Sequence, residues 1–120
     1  MARILVVEDE PHIAEALTFL LEREGHFVRV VDDGAEALPA LAEADLVILD
    51  IMLPGLSGFE VAAAAATRAP KPKVCVLTAK GQAADRARME ALGVSAFVTK
   101  PFSNKDLMET VNTLVDGPLA

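Results

Sequence analysis

The sequence predicts a doubly wound α/β domain, with five parallel strands between two layers of helices. Three observations predict it. Short apolar bursts recur at Ile4 to Val7, Phe27 to Val31, Leu46 to Ile51, Val74 to Leu77 and Ala96 to Val98, separated by segments of helical period. The central burst, Leu46-Val47-Ile48-Leu49, is apolar at every position, as in a strand buried on both faces, and it ends abruptly in Asp50. Polar side chains also close other bursts, where an open parallel sheet forms its crevice.

Each element has its own signals. After the first burst come Glu8 and Asp9, then Pro11, suited to the first turn of a helix. Ile13, Ala16, Leu17, Leu20 and Leu21 form one apolar stripe in that helix, and Gly25 stops it. Asp33 and Gly34 open helix two, with Ala35, Leu38 and Leu41 expected inward and Pro39 expected to kink or shorten it. A turn at Pro54-Gly55 follows the Asp50 strand. Gly58 then begins helix three, whose alanine run Ala62 to Ala66 reads as close packing and high helix propensity. Pro70 and Pro72 stiffen the next loop, and strand four closes at Thr78. Helix four, about Gln82 to Leu92, has little beyond Met89 and Leu92 to bury and is expected to be the loosest. Strand five leads to Lys100-Pro101. Ser103 and Asp106 resemble a capping box for helix five, which turns Leu107, Met108, Val111, Leu114 and Val115 inward before Gly117 and Pro118 end it.

Composition narrows the function. The 120 residues form one domain, residues 1–120, and 52% are hydrophobic, which excludes a disordered chain. No apolar run spans a bilayer and no signal segment precedes the first strand, so no membrane role is expected. One cysteine points to a reducing, cytoplasmic setting, and with two histidines it leaves too few ligands for structural zinc. Cys75 lies mid-strand and reads as an inert core thiol; His12 reads as a solvated first-turn residue. A net charge of −7 argues against direct nucleic-acid binding.

If the strand order is 2-1-3-4-5, strands one and three are neighbours, and Glu8, Asp9 and Asp50 converge where the winding reverses. Two carboxylates ~4 Å apart repel by about 4 kcal/mol at an effective dielectric of ~20, so three together need a cation. Hard oxygen ligands favour Mg²⁺. Lys100 adds a fixed positive charge and Thr78 a hydroxyl donor. Such a set suits phosphoryl transfer to the carboxylate of Asp50, giving an aspartyl phosphate. Each residue also has a plainer reading. Asp50 is a strand-end aspartate, Glu8 and Asp9 cap a helix, Thr78 is an ordinary strand residue, Lys100 is solvated, and Phe97 is core.

The chain resembles a response regulator receiver domain of bacterial two-component signalling, a flavodoxin-like three-layer sandwich, over essentially its full length. The residues that carry the resemblance are Val6-Val7-Glu8-Asp9, Leu49-Asp50-Ile51-Met52-Leu53-Pro54-Gly55, Gly58, Leu77-Thr78-Ala79 and Phe97-Val98-Thr99-Lys100-Pro101-Phe102. The resemblance implies that Asp50 is the phosphoacceptor and Asp9 a direct ligand of Mg²⁺ (or Mn²⁺). Glu8 reaches the metal largely through water, and the Met52 carbonyl adds a ligand. It implies a cis Lys100-Pro101 peptide, a switch built from Thr78 and Phe97, and tuning of phosphate lifetime at Met52 and Lys80. The implied donor is a sensor histidine kinase or histidine phosphotransfer domain. Its helix is expected to dock on an apolar rim of Ile13 and Phe102. The domain is then no conventional enzyme, but one that phosphorylates itself from small donors and dephosphorylates itself slowly.

Three departures matter. The acidic pair is Glu-Asp where many relatives have Asp-Asp. Val94-Ser95-Ala96 lacks the aspartates, and Met108 to Val115 the arginine, of a dimer face common in DNA-binding relatives. No output domain follows residue 120, so the expected target is a separate protein, or an output domain belonging to a longer chain. Rival readings are a small Mg²⁺-dependent phosphatase with an aspartyl nucleophile, a nucleotide binder and an unphosphorylated interaction module. The first wants an acid where Met52 stands, and the second a phosphate loop where Glu8-Asp9-Glu10 would repel phosphate.

Overall fold

A computed structural model describes residues 2–51, 53, 57–79 and 83–116. Its elements are β1 (Arg3–Val7), α1 (Pro11–Arg23), β2 (Phe27–Val31), α2 (Gly34–Ala40), a 3₁₀ turn (Leu41–Glu43), β3 (Leu46–Asp50), α3 (Gly58–Ala66), β4 (Lys73–Ala79), α4 (Ala83–Ala91), β5 (Ala96–Lys100) and α5 (Asn104–Asp116). The five strands form one sheet in the order β2-β1-β3-β4-β5, every neighbouring pair parallel. The predicted fold class is the observed one.

Strand side chains alternate between faces, and here the alternation sorts the core into two layers. Ile4, Val6, Leu46, Ile48, Cys75, Leu77 and Val98 pack with α1 and α5 through Leu17, Leu20, Leu21, Leu107 and Val111. Leu5, Val7, Val47, Leu49, Val74 and Val76 pack with α2, α3 and α4 through Ala37, Val61, Ala62, Ala65 and Met89. Strand β3 sits mid-sheet and is buried at all five positions. Cys75 is fully buried, and desolvation pushes its thiol up to about 12, as expected of a core residue.

Edge strand β2 departs from the buried pattern. Phe27 is 67% and Val30 40% exposed, because only one neighbour flanks that strand. Two helices also sit in a different phase from the one the apolar stripe suggested. In α1 the buried line is Ala14, Leu17, Leu20 and Leu21; Ala16 is exposed and Ile13 half-buried. In α2 the buried residues are Gly34, Ala37 and Ala40, with Leu41 just beyond, whereas Ala35 and Leu38 face outward. The physical reason is the same in both. Alanine loses little by facing either way, and α2 seats small side chains against the sheet, leaving its leucine outside. Pro39 lies in the last turn of α2, which ends at Ala40 and tightens into the 3₁₀ turn. The shortening expected of that proline is observed.

Helix α4 buries Met89 alone. In α5, Leu107 and Val111 are buried, and Met108, Leu114 and Val115 pack against them partly covered. The Ser103 hydroxyl accepts from the Asp106 amide at 3.0 Å, the expected cap. The Pro54-Gly55 turn, Met52, Lys80, Gln82 and the terminator Gly117-Pro118 lie outside the described residues. No helix of the described chain is long and apolar enough to cross a membrane.

Candidate functional site

Register and parity build the site. Val6 pairs with Ile48 and Val7 with Leu49, so the next residues, Glu8 and Asp50, emerge side by side at the C-terminal rim. Glu8 continues the parity of Ile4 and Val6, and Asp50 that of Leu46 and Ile48, so both follow the α1/α5 side of the sheet. Lys100 continues the parity of Ala96 and Val98 from two strands away. Asp50 is level with Leu77, Leu77 with Val98, and Lys100 stands two residues beyond. Its long side chain spans that gap. The Lys100-Pro101 peptide is cis, as expected.

The charges meet accordingly. Lys100 Nζ lies 3.2 Å from Glu8 Oε2 and 3.3 Å from Asp50 Oδ2. The Glu10 amide donates to Glu8 Oε1 at 3.1 Å. Glu8 is 1% exposed and Asp50 6%, while Asp9 opens to solvent. Burial, with Asp50 adding to it, pushes the Glu8 carboxyl from its ordinary 4.5 up to about 7, against the opposing pull of the Glu10 amide and Lys100. Burial also works against the Lys100 charge, but the carboxylates of Asp50 and Glu8 outweigh it and hold the ammonium above its usual range. One lysine therefore does not fully neutralise the acids around it.

The site fits a divalent cation on two grounds. One carboxylate oxygen from each of Glu8, Asp9 and Asp50 lies within 4.8 Å of the other two. Among the described residues, buried Glu8 Oε2 has no hydrogen-bond partner, although it faces the lysine charge. Hard oxygen donors of this kind suit Mg²⁺ or Mn²⁺.

Thr78 is buried, and among the described residues its hydroxyl reaches only the Ala79 carbonyl, at a long 3.5 Å. Thr78 shares the parity of Val74 and Val76, toward α3 and α4, and Phe97 packs half-buried against that same layer. Ile13 and Phe102 are both half-buried against the opposite, α1/α5 layer. A second acidic group, Asp32, Asp33 and Glu36, is accounted for by helix capping, since Asp33 Oδ1 accepts from the Glu36 amide at 2.9 Å.

Two features escaped the sequence reading. The guanidinium of Arg86 on α4 lies over the Phe97 ring, 4.6 Å from its centroid, a contact between elements that no local spacing foretells. Gly58 does more than begin α3. A Cβ there would stand 2.9 Å from the Asp50 carbonyl oxygen and 3.1 Å from that of Ile51, so α3 seats directly on the backbone that carries Asp50. Gly58→Ala should therefore destabilise the fold by about 1–3 kcal/mol, because backbone must move and the clash outweighs any gain in helix propensity. Thermal unfolding followed by circular dichroism checks the sign.

An acidic pocket with one fixed lysine, at the C-terminal rim of a doubly wound sheet, is the construction of a phosphorylatable signalling switch. Comparison with known proteins agrees. Residues 4–112 match the model of the response regulator receiver domain. The sensory transduction protein RegX3 of Mycobacterium tuberculosis is 39% identical over 117 residues, which cover 96% of this chain and 51% of RegX3. The signal receiver domain of a histidine kinase from Syntrophus aciditrophicus superposes with a TM-score of 0.89 at 30% identity, over 99% of this chain and 93% of that one. The receiver domain of the Pseudomonas aeruginosa sensor kinase PA1611, crystallised with magnesium in its active-site cleft, shares the fold at a TM-score of 0.85 and 24% identity, over 97% and 98% of the two chains. The chain belongs to the response regulator receiver domain family. It spans about half the length of the curated relatives it matches.

Proposed function

We propose that Asp50 is the phosphoacceptor of this switch, that Glu8, Asp9, Asp50 and the Met52 carbonyl hold Mg²⁺ or Mn²⁺, and that the phosphoryl group comes from a phosphohistidine of a sensor histidine kinase or histidine phosphotransfer domain. The observation that carries the reading is the convergence of three carboxylates, two of them paired with a half-buried lysine. The magnesium in the cleft of the PA1611 receiver supports the choice of metal. When bound, the cation supplies Lewis-acid neutralisation of phosphoryl oxygens.

The chain's own residues do the rest. A carboxylate oxygen of Asp50 attacks phosphorus, the bond to the donor nitrogen breaks, and the electron pair leaves with the histidine ring. Lys100, held beside Asp50, stabilises the charge on the transferring group. Thr78, whose hydroxyl makes a long local bond to the Ala79 carbonyl, donates to a phosphoryl oxygen. The phosphate adds roughly −1.5 to −2 of charge at Asp50. As Thr78 moves toward it, the vacated space draws Phe97 inward and repacks the α4–β5–α5 face, which a downstream protein or an output domain then reads. Met52 and Lys80, outside the described residues, are assigned to tuning phosphate lifetime.

The test is incubation with acetyl phosphate, read by mass spectrometry. The chain should gain one phosphoryl group with Mg²⁺ and none with chelator. Many turnovers of substrate without a retained group would indicate a phosphatase, and no gain at all an unphosphorylated interaction module. For the donor, Ile13 and Phe102 form the rim on which its helix docks. Ile13→Ala should slow phosphotransfer from a cognate kinase about tenfold, a loss of the size seen when one docking anchor is truncated, while acceptance from acetyl phosphate is unaltered. Equal kinase rates would remove Ile13 from the interface.

A further inference from the structure

Among the described residues, helix α4 is attached to the body of the domain by few side chains. Met89 is its one buried residue. To either side an arginine covers an aromatic ring: Arg86 Cζ lies 4.6 Å from the centroid of Phe97 on β5, and Arg88 Cζ lies 3.9 Å from that of Phe59 on α3. Residues two apart on a helix point about 200° apart, so a single turn reaches both flanks. Both rings rest on the same core layer. Arg86 also stands 4.0 Å from Glu90 one turn on, but both side chains are well exposed and that pair adds little.

We propose that Arg86 is a positioning residue for the switch. Stacked on Phe97, it holds the ring, and α4 with it, in the unphosphorylated arrangement and so sets how readily phosphorylation flips the domain. The inference rests on the reading that Phe97 turns inward when Asp50 is phosphorylated. A ring drawn into the space left by Thr78 moves out from under the guanidinium. The contact then exists in one of two states, and such a contact biases the equilibrium by its own worth. For an exposed cation–π pair that worth is about two- to fivefold in the equilibrium constant. Arg88 and Phe59 are the internal control. Their contact joins α4 to α3, away from the moving ring, and steadies α4 in both states.

Fluorine NMR of the full chain, with fluorinated phenylalanine assigned at position 97 through Phe97→Leu, measures the ring directly. The donor, acetyl phosphate with Mg²⁺, is set to half-populate the inward ring in the unaltered chain. Arg86→Gln should then raise the inward-to-outward ratio about two- to fivefold. Arg86→Lys should return most of the difference, because an ammonium also binds the ring face. Arg88→Gln should lower thermal stability and leave the ratio as it was. A ring that moves on phosphorylation equally with and without Arg86 overturns the latch alone. A phosphorylated chain whose Phe97 signal stays put overturns both the latch and the switch on which it rests.

Discussion

Asp50→Asn should abolish the mass gain from acetyl phosphate while leaving a folded chain. The amide is nearly isosteric with the carboxylate, so packing at the end of β3 is conserved. Nucleophilicity is not: an amide oxygen carries no full charge to attack phosphorus, and among the described residues no other carboxylate ends the central strand β3. Asp9 is the exposed acid of the cluster, but the lysine is seated on Asp50 and Glu8. The same change removes one negative charge from the three-acid cluster, so Mg²⁺ affinity should fall as well, by about tenfold or more, as metal-binding oxygens are few and each carries charge. Mass spectrometry and a metal titration read the two losses separately. Full phosphoryl incorporation in the variant would move the acceptor elsewhere and undo the assignment.

Lys100→Ala should divide the two functions of the pocket. Phosphoryl acceptance should drop about 10²–10³-fold, the usual cost of deleting one charge-stabilising donor at a transferring group. Mg²⁺ binding should persist, because the lysine competes with a metal for the same oxygens of Glu8 and Asp50 rather than supplying any. Without the ammonium, buried Glu8 keeps its burial penalty and loses the pull that opposed it, so it should stay protonated to higher pH unless a metal takes the lysine's place. Stopped-flow rates with acetyl phosphate, set beside a metal titration at the same pH, separate the outcomes. Loss of metal binding with unimpaired acceptance would reverse the roles given to these residues.

The framework of the site was legible because it follows from parity and strand order. An uninterrupted apolar run identified β3 as a buried strand and the βα alternation a parallel sheet; given the order 2-1-3-4-5, β1 and β3 are neighbours and bring Glu8 and Asp50 level. Lys100 was legible for a related reason: it is the polar residue ending a strand whose register places it within reach. Helix phase was less legible. Ala14 and Ala16 are chemically alike, and the sequence does not say which of them faces the sheet. Leu38 read as core, yet α2 packs through Gly34, Ala37 and Ala40, because small residues let a helix approach closely. Strand β2 looked like its neighbours in composition, and only its place at the sheet's edge exposes Phe27 and Val30. The stacking of Arg86 on Phe97 lay beyond any local pattern, since it depends on how α4 meets β5.

The cysteine in the middle of β4 has a practical bearing. Its sulfur is sealed between the sheet and the α1/α5 layer, and it scarcely ionises at working pH. Alkylating reagents can reach it only when the central strands part, so the pace of its modification keeps time for global opening. A dye introduced through a new thiol on the outer surface would meanwhile find the native one silent.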